Sequence, residues 1–198
     1  MRETIDNKKE AKKNSLLQAA LKLFLNKGVS KTSISEIAEQ ANVAKGTFYL
    51  YFKDKDALLE QLLYQLSYHI IQQAHNYTQQ HRSELFCENV ITFADWIITY
   101  FTEHTDILRL IRRNFTWPAL ESTLHSANTA DPLWKAITTS LNNASLRDVH
   151  NPQELFNMLY IIVELCGTVC YTSIIEQQPD TIDHMKPLLY TMIRRILQ

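Results

Sequence analysis

Apolar residues recur three and four positions apart along most of this chain, which is the spacing of one face of an α-helix. The first such stripe predicts a helix from about Lys9 to Asn26, and Gly28 is placed to end it. The first proline is Pro118, and the 198 residues include only three glycines. Because few residues interrupt helical geometry, the chain is predicted to be all-α.

Two short helices joined by a tight turn are predicted after the first helix. Ser33 and Glu36 have the spacing of a capping box, and the apolar stripe behind them is long enough for two helical turns. Asn42 tolerates left-handed backbone geometry, so it favours a sharp turn before a second short helix over 43–50. This pattern is typical of a helix-turn-helix, in which the second helix enters the major groove of DNA.

The second short helix and the turn after it contain the stretch AKGTFYLYFKDK, which places four aromatic residues between lysines. Phe48 and Phe52 are four positions apart, so they are predicted to face inward and anchor the helix. The outward side chains carry hydroxyl or ammonium groups that reach phosphate oxygens: Lys45, Thr47, Tyr49, Tyr51 and Lys55. Gly46 leaves room for the DNA backbone. The alternative is an aromatic-rich hinge between two helices.

Composition and charge place the chain among ordinary globular proteins, with 45% hydrophobic and 21% charged residues. Residues 1–60 have a balance of +3 and the remainder a balance of −4, so the N-terminal part favours a polyanion. The longest apolar run, over 155–175, is interrupted by Glu164, which favours a buried helix over a membrane span. With no signal peptide and an odd number of cysteines, a reduced cytoplasmic location is expected.

The stretch TSISEIAEQANVAKGTFYLYFKDKDALL resembles the N-terminal domain of TetR-type transcriptional regulators, and AALKLFLNKG before it agrees. The resemblance implies an N-terminal three-helix DNA-binding head over 1–54, carried on a helical effector-binding and dimerisation body over 55–198. It implies a homodimer that binds a double-stranded DNA operator and is usually a repressor until a small molecule binds.

Carried over by position, the resemblance implies backbone-phosphate contacts from Thr32 and Ser33 and a phosphate contact from Lys55. It places the following residues at the DNA: Lys45, Gly46, Thr47, Tyr49 and Tyr51. The chain departs from the family at Asn42, where glycine is frequent, and at Ala44, where serine is frequent. The second departure removes a helix cap and a hydroxyl, which predicts a modest affinity for DNA.

Aromatic residues of the body are candidates for lining an effector cavity, although such stripes also form plain cores. The predicted set, with one carboxylate, is Phe93, Trp96, Tyr100, Phe115, Trp117, Trp134, Tyr160 and Glu164. If Glu164 faces the cavity it predicts a cationic effector; otherwise it pairs with Arg109, Arg112 or Arg113, or is exposed. An apolar effector remains the other expectation.

Chemistry based on thiols, metals or cofactors finds little support in the sequence. Cys166 and Cys170 are four apart, which allows redox sensing but favours packing. His69 and His75 are six apart, a spacing that does not align them for a metal. No phosphate-binding loop, dinucleotide-binding loop or hydrolase motif is present, so no cofactor and no enzymatic activity are predicted. A DNA-organising protein without an effector is the alternative function.

A homodimer interface is predicted on two C-terminal helices. One starts after Asn151 and runs to Pro179, with apolar residues on more than one side; the other carries two apolar stripes, Leu188/Met192/Ile196 and Leu189/Ile193/Leu197. The predicted contacts are Val163, Gly167, Cys170, Ile174, Leu189 and Ile193. Gly167 in mid-helix favours close approach of another helix, and Pro187 is expected to kink the last helix or mark its start. Alternatively, all these apolar residues pack within one subunit.

Overall fold

The structure, a computed structural model, describes residues 2–114 and 152–197, and all secondary structure in those ranges is helical. The all-α prediction is confirmed. The chain forms two compact units, Met1–Ser67 and Tyr68–Gln198. The predicted domain boundary after residue 54 coincides with the start of a long helix, whereas the boundary between the units lies inside that helix.

Unit 1 contains three helices and the beginning of a fourth: α1 (Arg2–Lys27), α2 (Ile34–Gln40), α3 (Lys45–Phe48) and α4 (Lys55–Gln80). α1 begins earlier than the predicted Lys9, because the polar segment before its first buried residue continues the helix. α3 is shorter than predicted, since the backbone tightens directly after it: the amides of Leu50 and Tyr51 donate to carbonyls three residues earlier, at 3.2 and 3.0 Å.

The core of unit 1 is assembled from all four helices. Its most deeply buried side chains are Leu16, Leu17, Ala20, Phe24, Ile37, Ala38, Phe48 and Leu58. The predicted stripes of α1 and α2 therefore face the core, and the apolar residues of α4 within this unit cover the same centre.

Unit 2 begins within α4 and continues with α5 (Phe86–Glu103), α6 (Thr105–Asn114), α7 (Pro152–Tyr171) and α8 (Ile182–Leu197). A π-helical turn, Thr172–Glu176, extends α7 before the chain reverses at residues 177–181.

Two predicted features of the C-terminal helices can be compared with the structure. α7 begins at Pro152, as predicted, but the helical backbone stops at Glu176 because Gln177 adopts a left-handed conformation with φ 55°. Pro187 lies inside α8, so it does not mark the start of that helix.

Polar contacts fix α5 against α8 beside an apolar core shared with α7. The guanidinium of Arg194 donates to both carboxylate oxygens of Glu88, at 2.6 and 3.0 Å. Asp95 accepts from the ammonium of Lys186 and the hydroxyl of Tyr190. Burial acts to raise the pKa of Asp95, but these two donors outweigh it and hold the pKa below its ordinary value.

One helical segment in the described ranges, Asn157–Glu176, is long and apolar enough to cross a membrane by length and composition, and 17% of its apolar window is buried within the chain. Soluble core helices pass the same test, so this observation alone is weak support for a membrane span.

Candidate functional site

The start of α2 is built as a capping box, as the sequence predicts. Ser33 adopts extended geometry, its hydroxyl accepts from the amide of Glu36 at 3.3 Å, and its own amide donates to the Glu36 carboxylate at 2.9 Å. These bonds satisfy amides that the first helical turn leaves without partners. The exposed Ser33 therefore sits at a capped helix start, a place suited to anions such as phosphates.

Glu36 also joins α2 to the end of α1 through an ion pair with Lys27. The Lys27 ammonium, together with the amide and hydroxyl of Ser33, lowers the pKa of Glu36 from 4.5 to about 2. The carboxylate is thus more stable as an anion in the folded chain than in the unfolded chain.

Lowering the pH should remove, within a defined window, the stabilisation that the ionised Glu36 gives the folded chain. Because the folded pKa of Glu36 is depressed, its stabilisation is complete above about pH 4.5 and is lost as the pH falls towards about 2. We expect the thermal midpoint of the wild type to fall more steeply over that window than that of Glu36→Gln, measured by circular dichroism. Glu39→Gln, which changes an exposed carboxylate on the same helix, should follow the wild type. Parallel curves for Glu36→Gln and the wild type would contradict the assignment.

The turn between α2 and α3 has the predicted left-handed residue. Asn42 has φ 53°, and the amide of Val43 donates to the carbonyl of Ala38 at 2.9 Å, which closes the turn. Ala44 occupies the N-cap position of α3 and makes no side-chain cap. The loss of a cap at this position is therefore confirmed.

Phe48 and Phe52 anchor the α3 segment, as predicted. Phe48 is 0% and Phe52 4% exposed, and their ring centroids lie 5.7 Å apart. The rings of Tyr49 and Phe48 make a T-shaped contact, with centroids 5.4 Å apart, while 53% of Tyr49 remains exposed. The exposed Tyr49 is thus supported on one side by the buried Phe48.

The other residues predicted at the DNA differ in their exposure to solvent. Lys45 and Gly46 are exposed, whereas Thr47 and Tyr51 are half-buried. A β-carbon built on Gly46 meets nothing within 4 Å, so the fold itself leaves space there. The predicted reason for Gly46, close approach of a DNA backbone, stays a prediction.

Thr32 and Lys55 are placed differently from the expectation. Thr32 is 2% exposed, and its hydroxyl donates to the carbonyl of Gly28 at 2.8 Å, so this side chain is not available to a phosphate. The contact of Thr32 with the DNA backbone stays a prediction. The ammonium of Lys55 donates to the carbonyls of Val29 and Thr32, at 2.7 and 2.9 Å.

Leu50 is a residue of this surface that the sequence interpretation missed. It is 75% exposed, the highest value among the exposed large hydrophobic side chains of the described residues, and it lies between Tyr49 and Tyr51. The sequence did hold a signal for it. Leu50 is an apolar residue two positions from both Phe48 and Phe52, so on a helix it cannot share their buried face. On a DNA-facing segment, such a side chain is suited to contact a thymine methyl group.

In unit 2, the aromatic residues of α5 form a stacked row. Trp96 stacks on Tyr100 with centroids 5.5 Å apart, and Tyr100 stacks on His104 at 4.2 Å. Phe93 is half-buried on the same side of the helix, and burial raises the pKa of Tyr100. Three other predicted cavity residues lie outside the described residues: Phe115, Trp117 and Trp134.

The two predicted cavity residues on α7 lie away from the core of unit 2. Glu164 is half-buried and makes no hydrogen bond or ion pair with the residues that the structure describes. Arg112 lies over the ring of Tyr171, 6.0 Å from its centroid, rather than on Glu164; the side chain of Arg113 lies outside the described residues. Tyr160 is 36% exposed.

Cys166 and Cys170 are packed in or against the core of unit 2. Burial raises the pKa of both thiols to about 12. Because the thiolate is the reactive form, this placement favours packing over redox sensing.

The predicted dimer residues divide into two groups. Val163 and Gly167 are exposed, and Ile174 is half-buried. The others lie in the subunit's own core, with exposures of 0% to 3%: Cys170, Leu189 and Ile193. For these three the expectation is corrected, because they pack within the subunit against α5 and α7. In the other stripe of α8, Leu188 is 59% and Met192 44% exposed, whereas Ile196 is partly buried against the core of unit 2.

Comparison with known proteins relates the N-terminal part of the chain to one family of regulators. Residues 16–62 match the model of the bacterial regulatory proteins of the tetR family. YvdT of Bacillus subtilis, an uncharacterized HTH-type transcriptional regulator, is 26% identical over 191 residues, which are 94% of this chain and 95% of YvdT. Over residues 16–62 the chain therefore carries the N-terminal domain of the tetR family of bacterial regulatory proteins. Other curated regulators match at 41% to 47% identity over 47 to 52 residues, which cover 17% to 28% of their own lengths.

Solved TetR-family structures share the fold along nearly the whole chain. A putative TetR-family regulator from Syntrophomonas wolfei matches with a TM-score of 0.67 at 18% identity, covering 95% of each chain. FadR from Bacillus subtilis, solved in complex with stearoyl-CoA, matches with a TM-score of 0.61 at 16% identity, covering 90% of this chain and 96% of FadR. TetR-family regulators bind DNA operators and small-molecule effectors and are generally dimeric.

Proposed function

We propose that this protein is a cytoplasmic repressor of the TetR family, whose α3 segment reads operator DNA and whose unit 2 binds a small molecule that releases the operator. The observation that carries the proposal is the exposure of Lys45 and Tyr49 on the α3 segment, which the buried Phe48 anchors. An exposed ammonium and an exposed tyrosine on a rigid support are suited to phosphate and base contacts.

A homodimer made through α7 and α8 is part of this proposal. Of the seven exposed large apolar side chains in the described part of unit 2, five lie on these two helices: Tyr160, Ile161, Val163, Leu188 and Met192. We call this set, with Gly167, the exposed α7/α8 surface. Apolar patches of this kind mark interaction sites, and a second copy placed across a two-fold axis covers them on both subunits.

Three observations bear on the effector class. The α5 row offers a half-buried aromatic face, which suits an apolar ligand. FadR, a structural relative, binds stearoyl-CoA, so long-chain acyl thioesters belong among the first compounds tested. Glu164, with no partner among the described residues, suits a cationic ligand instead.

Ser173 supplies a further polar group in unit 2. It is 2% exposed within the π-helical turn, and its hydroxyl has no hydrogen-bond partner among the described residues. A buried hydroxyl without a partner costs about 1 to 3 kcal/mol. A polar group of an effector that reached this turn would offset the cost, and π-helical turns are frequent at functional sites.

Transmission from effector to operator is proposed to use α4, since this helix contributes residues to both units. The two heads of a dimer must meet half-sites about 34 to 36 Å apart, so a small tilt of α4 in each subunit spoils the fit.

The test begins with a thermal-shift screen of acyl thioesters, metabolites and cationic drugs, because a ligand of the native state raises its stability. An effector found in this way should weaken operator binding, and saturating operator should weaken effector binding by the same factor. Fluorescence titration with and without operator measures both. An effector whose affinity is indifferent to saturating operator contradicts the mechanism. If the chain binds operator but no compound in the screen raises its thermal midpoint, the DNA-organising alternative is favoured.

A further inference from the structure

The outer face of α7 is apolar, yet the subunit itself covers little of it. Of the apolar window that spans α7 and its π-helical turn, 17% is buried within the chain, and Ile161, Val163 and Gly167 are exposed. Glu164 lies on the same face, since Ile161 precedes it and Gly167 follows it by three positions. Glu164 is half-buried and is the only charged residue in the segment 155–175. An apolar helix face therefore carries a single carboxylate.

The outer face of α8 carries a cation that could neutralise this carboxylate. Leu188 and Met192 are exposed there, and Arg195 follows them by seven and three positions, so it lies on the same face. Arg195 is exposed and has no ion-pair partner in the part of the chain that the structure describes. The other basic side chains of α8 are bonded within the subunit: Lys186 to Asp95, Arg194 to Glu88, and His184 to Asp180.

The two faces together form the exposed α7/α8 surface. α7 and α8 pack against each other, and five residues, 177–181, connect the π-helical turn to α8. A two-fold axis brings the same surface of a second copy against this one, so a contact of one residue with another occurs twice, once in each direction. A surface that carries one acid and one base without partners among the described residues is therefore complementary to itself.

We infer that Glu164 of each subunit forms an ion pair with Arg195 of the partner subunit, and that the two pairs select a second copy of this chain and fix its register. The inference rests on the proposed homodimer and names the contacts that specify it. A purely apolar partner would bury either charge without a counter-charge, which is strongly unfavourable. A second copy supplies the counter-charge to both, and a guanidinium binds a carboxylate through two parallel hydrogen bonds. The cation that meets Glu164 is then the partner's, and not that of an effector.

Charge reversal tests the pair in the full chain, with sedimentation as the measurement of association. Glu164→Arg opposes two cations at both contacts, and Arg195→Glu opposes two anions. Each variant alone should therefore associate about a hundredfold or more weakly than the wild type. The double variant Glu164→Arg, Arg195→Glu exchanges the charges, so it should associate much as the wild type does.

A mixture of the two single variants distinguishes a pair between subunits from a pair within one subunit. In their heterodimer, one contact joins the two substituted residues and the other joins the two native residues, and both contacts combine opposite charges. We therefore expect an equimolar mixture to sediment as a dimer at concentrations where each variant alone is a monomer. A pair within one subunit would be restored in the double variant but not in the mixture, because each subunit of the mixture keeps its like charges.

Matched controls reverse exposed charges away from α7 and α8. Glu103→Arg at the end of α5 and Arg109→Glu on α6 should associate like the wild type. Circular dichroism checks that every variant is folded. If a reversal prevents folding, Glu164→Gln and Arg195→Gln measure the same pair in a double-mutant cycle, where their effects on association should be non-additive by about tenfold or more.

The remaining outcomes decide against the inference in distinguishable ways. A single reversal that associates like the wild type, a mixture that associates no better than its components, or additive glutamine variants would overturn the ion pair and leave the homodimer standing. If the wild type itself sediments as a 23.1 kDa monomer at micromolar concentration, the proposed homodimer fails and the pair fails with it.

Discussion

Replacing Lys45 and Tyr49 together by alanine is expected to abolish specific operator binding while the chain remains folded. Both side chains are exposed on the α3 segment, so their removal leaves the core of unit 1 intact. Each contact of this kind contributes about 1 to 3 kcal/mol, and the loss of both should weaken binding by about a hundredfold or more. Fluorescence anisotropy with a labelled operator measures the affinity, and circular dichroism checks the fold.

Two controls separate this effect from general changes. Lys22→Ala removes an exposed lysine from α1 and should leave affinity close to that of the wild type. Phe48→Ala empties the fully buried anchor and should cost about 3 to 5 kcal/mol of stability, so binding and folding are lost together. Normal operator binding by the Lys45→Ala, Tyr49→Ala variant would refute the assignment of α3 as the reading segment.

The parts of unit 1 that local chemistry determines were predictable from the sequence. The capping box of Ser33 and Glu36 lies within four residues, and the left-handed Asn42 depends on its own backbone. The inward pair of Phe48 and Phe52 follows from spacing alone. Each of these features is a property of neighbouring residues, and for that reason each appears in the structure where the pattern placed it.

Contacts between distant residues could not be predicted in the same way. Lys55 bonds to carbonyls 23 and 26 positions earlier, and Asp95 meets Tyr190 across 95 positions. The identity of these residues gave no signal of their partners. In α8 the pattern showed two apolar stripes of similar strength, and only the packing against α5 and α7 decided that the Leu189 stripe faces inward. The choice of the inner stripe as dimer interface therefore failed.

Replacing Leu188 and Met192 together by aspartate is expected to convert the proposed dimer into monomers. Both side chains are exposed within the subunit, so aspartate at these positions is solvated in the monomer. In a dimer that covers the exposed α7/α8 surface, the same carboxylates would be buried without partners, which costs several kcal/mol. We expect association to weaken by about a thousandfold or more, measured by sedimentation at micromolar concentration, with loss of operator binding because two joined heads are required. Leu85→Asp, at an exposed apolar residue outside these helices, should remain dimeric.

Gly167→Leu tests the same surface without adding charge. A β-carbon at Gly167 meets nothing within 4 Å in the subunit, so a single subunit accommodates a side chain there. Leucine also favours the helix over glycine by about 0.8 kcal/mol. The subunit should therefore fold at least as well as the wild type, while a closely approaching partner helix would be pushed away and the dimer lost. If Gly167→Leu sediments as a dimer and binds operator normally, the partner does not approach α7 at this residue. If the wild type itself sediments as a 23.1 kDa monomer, the α7/α8 dimer is excluded.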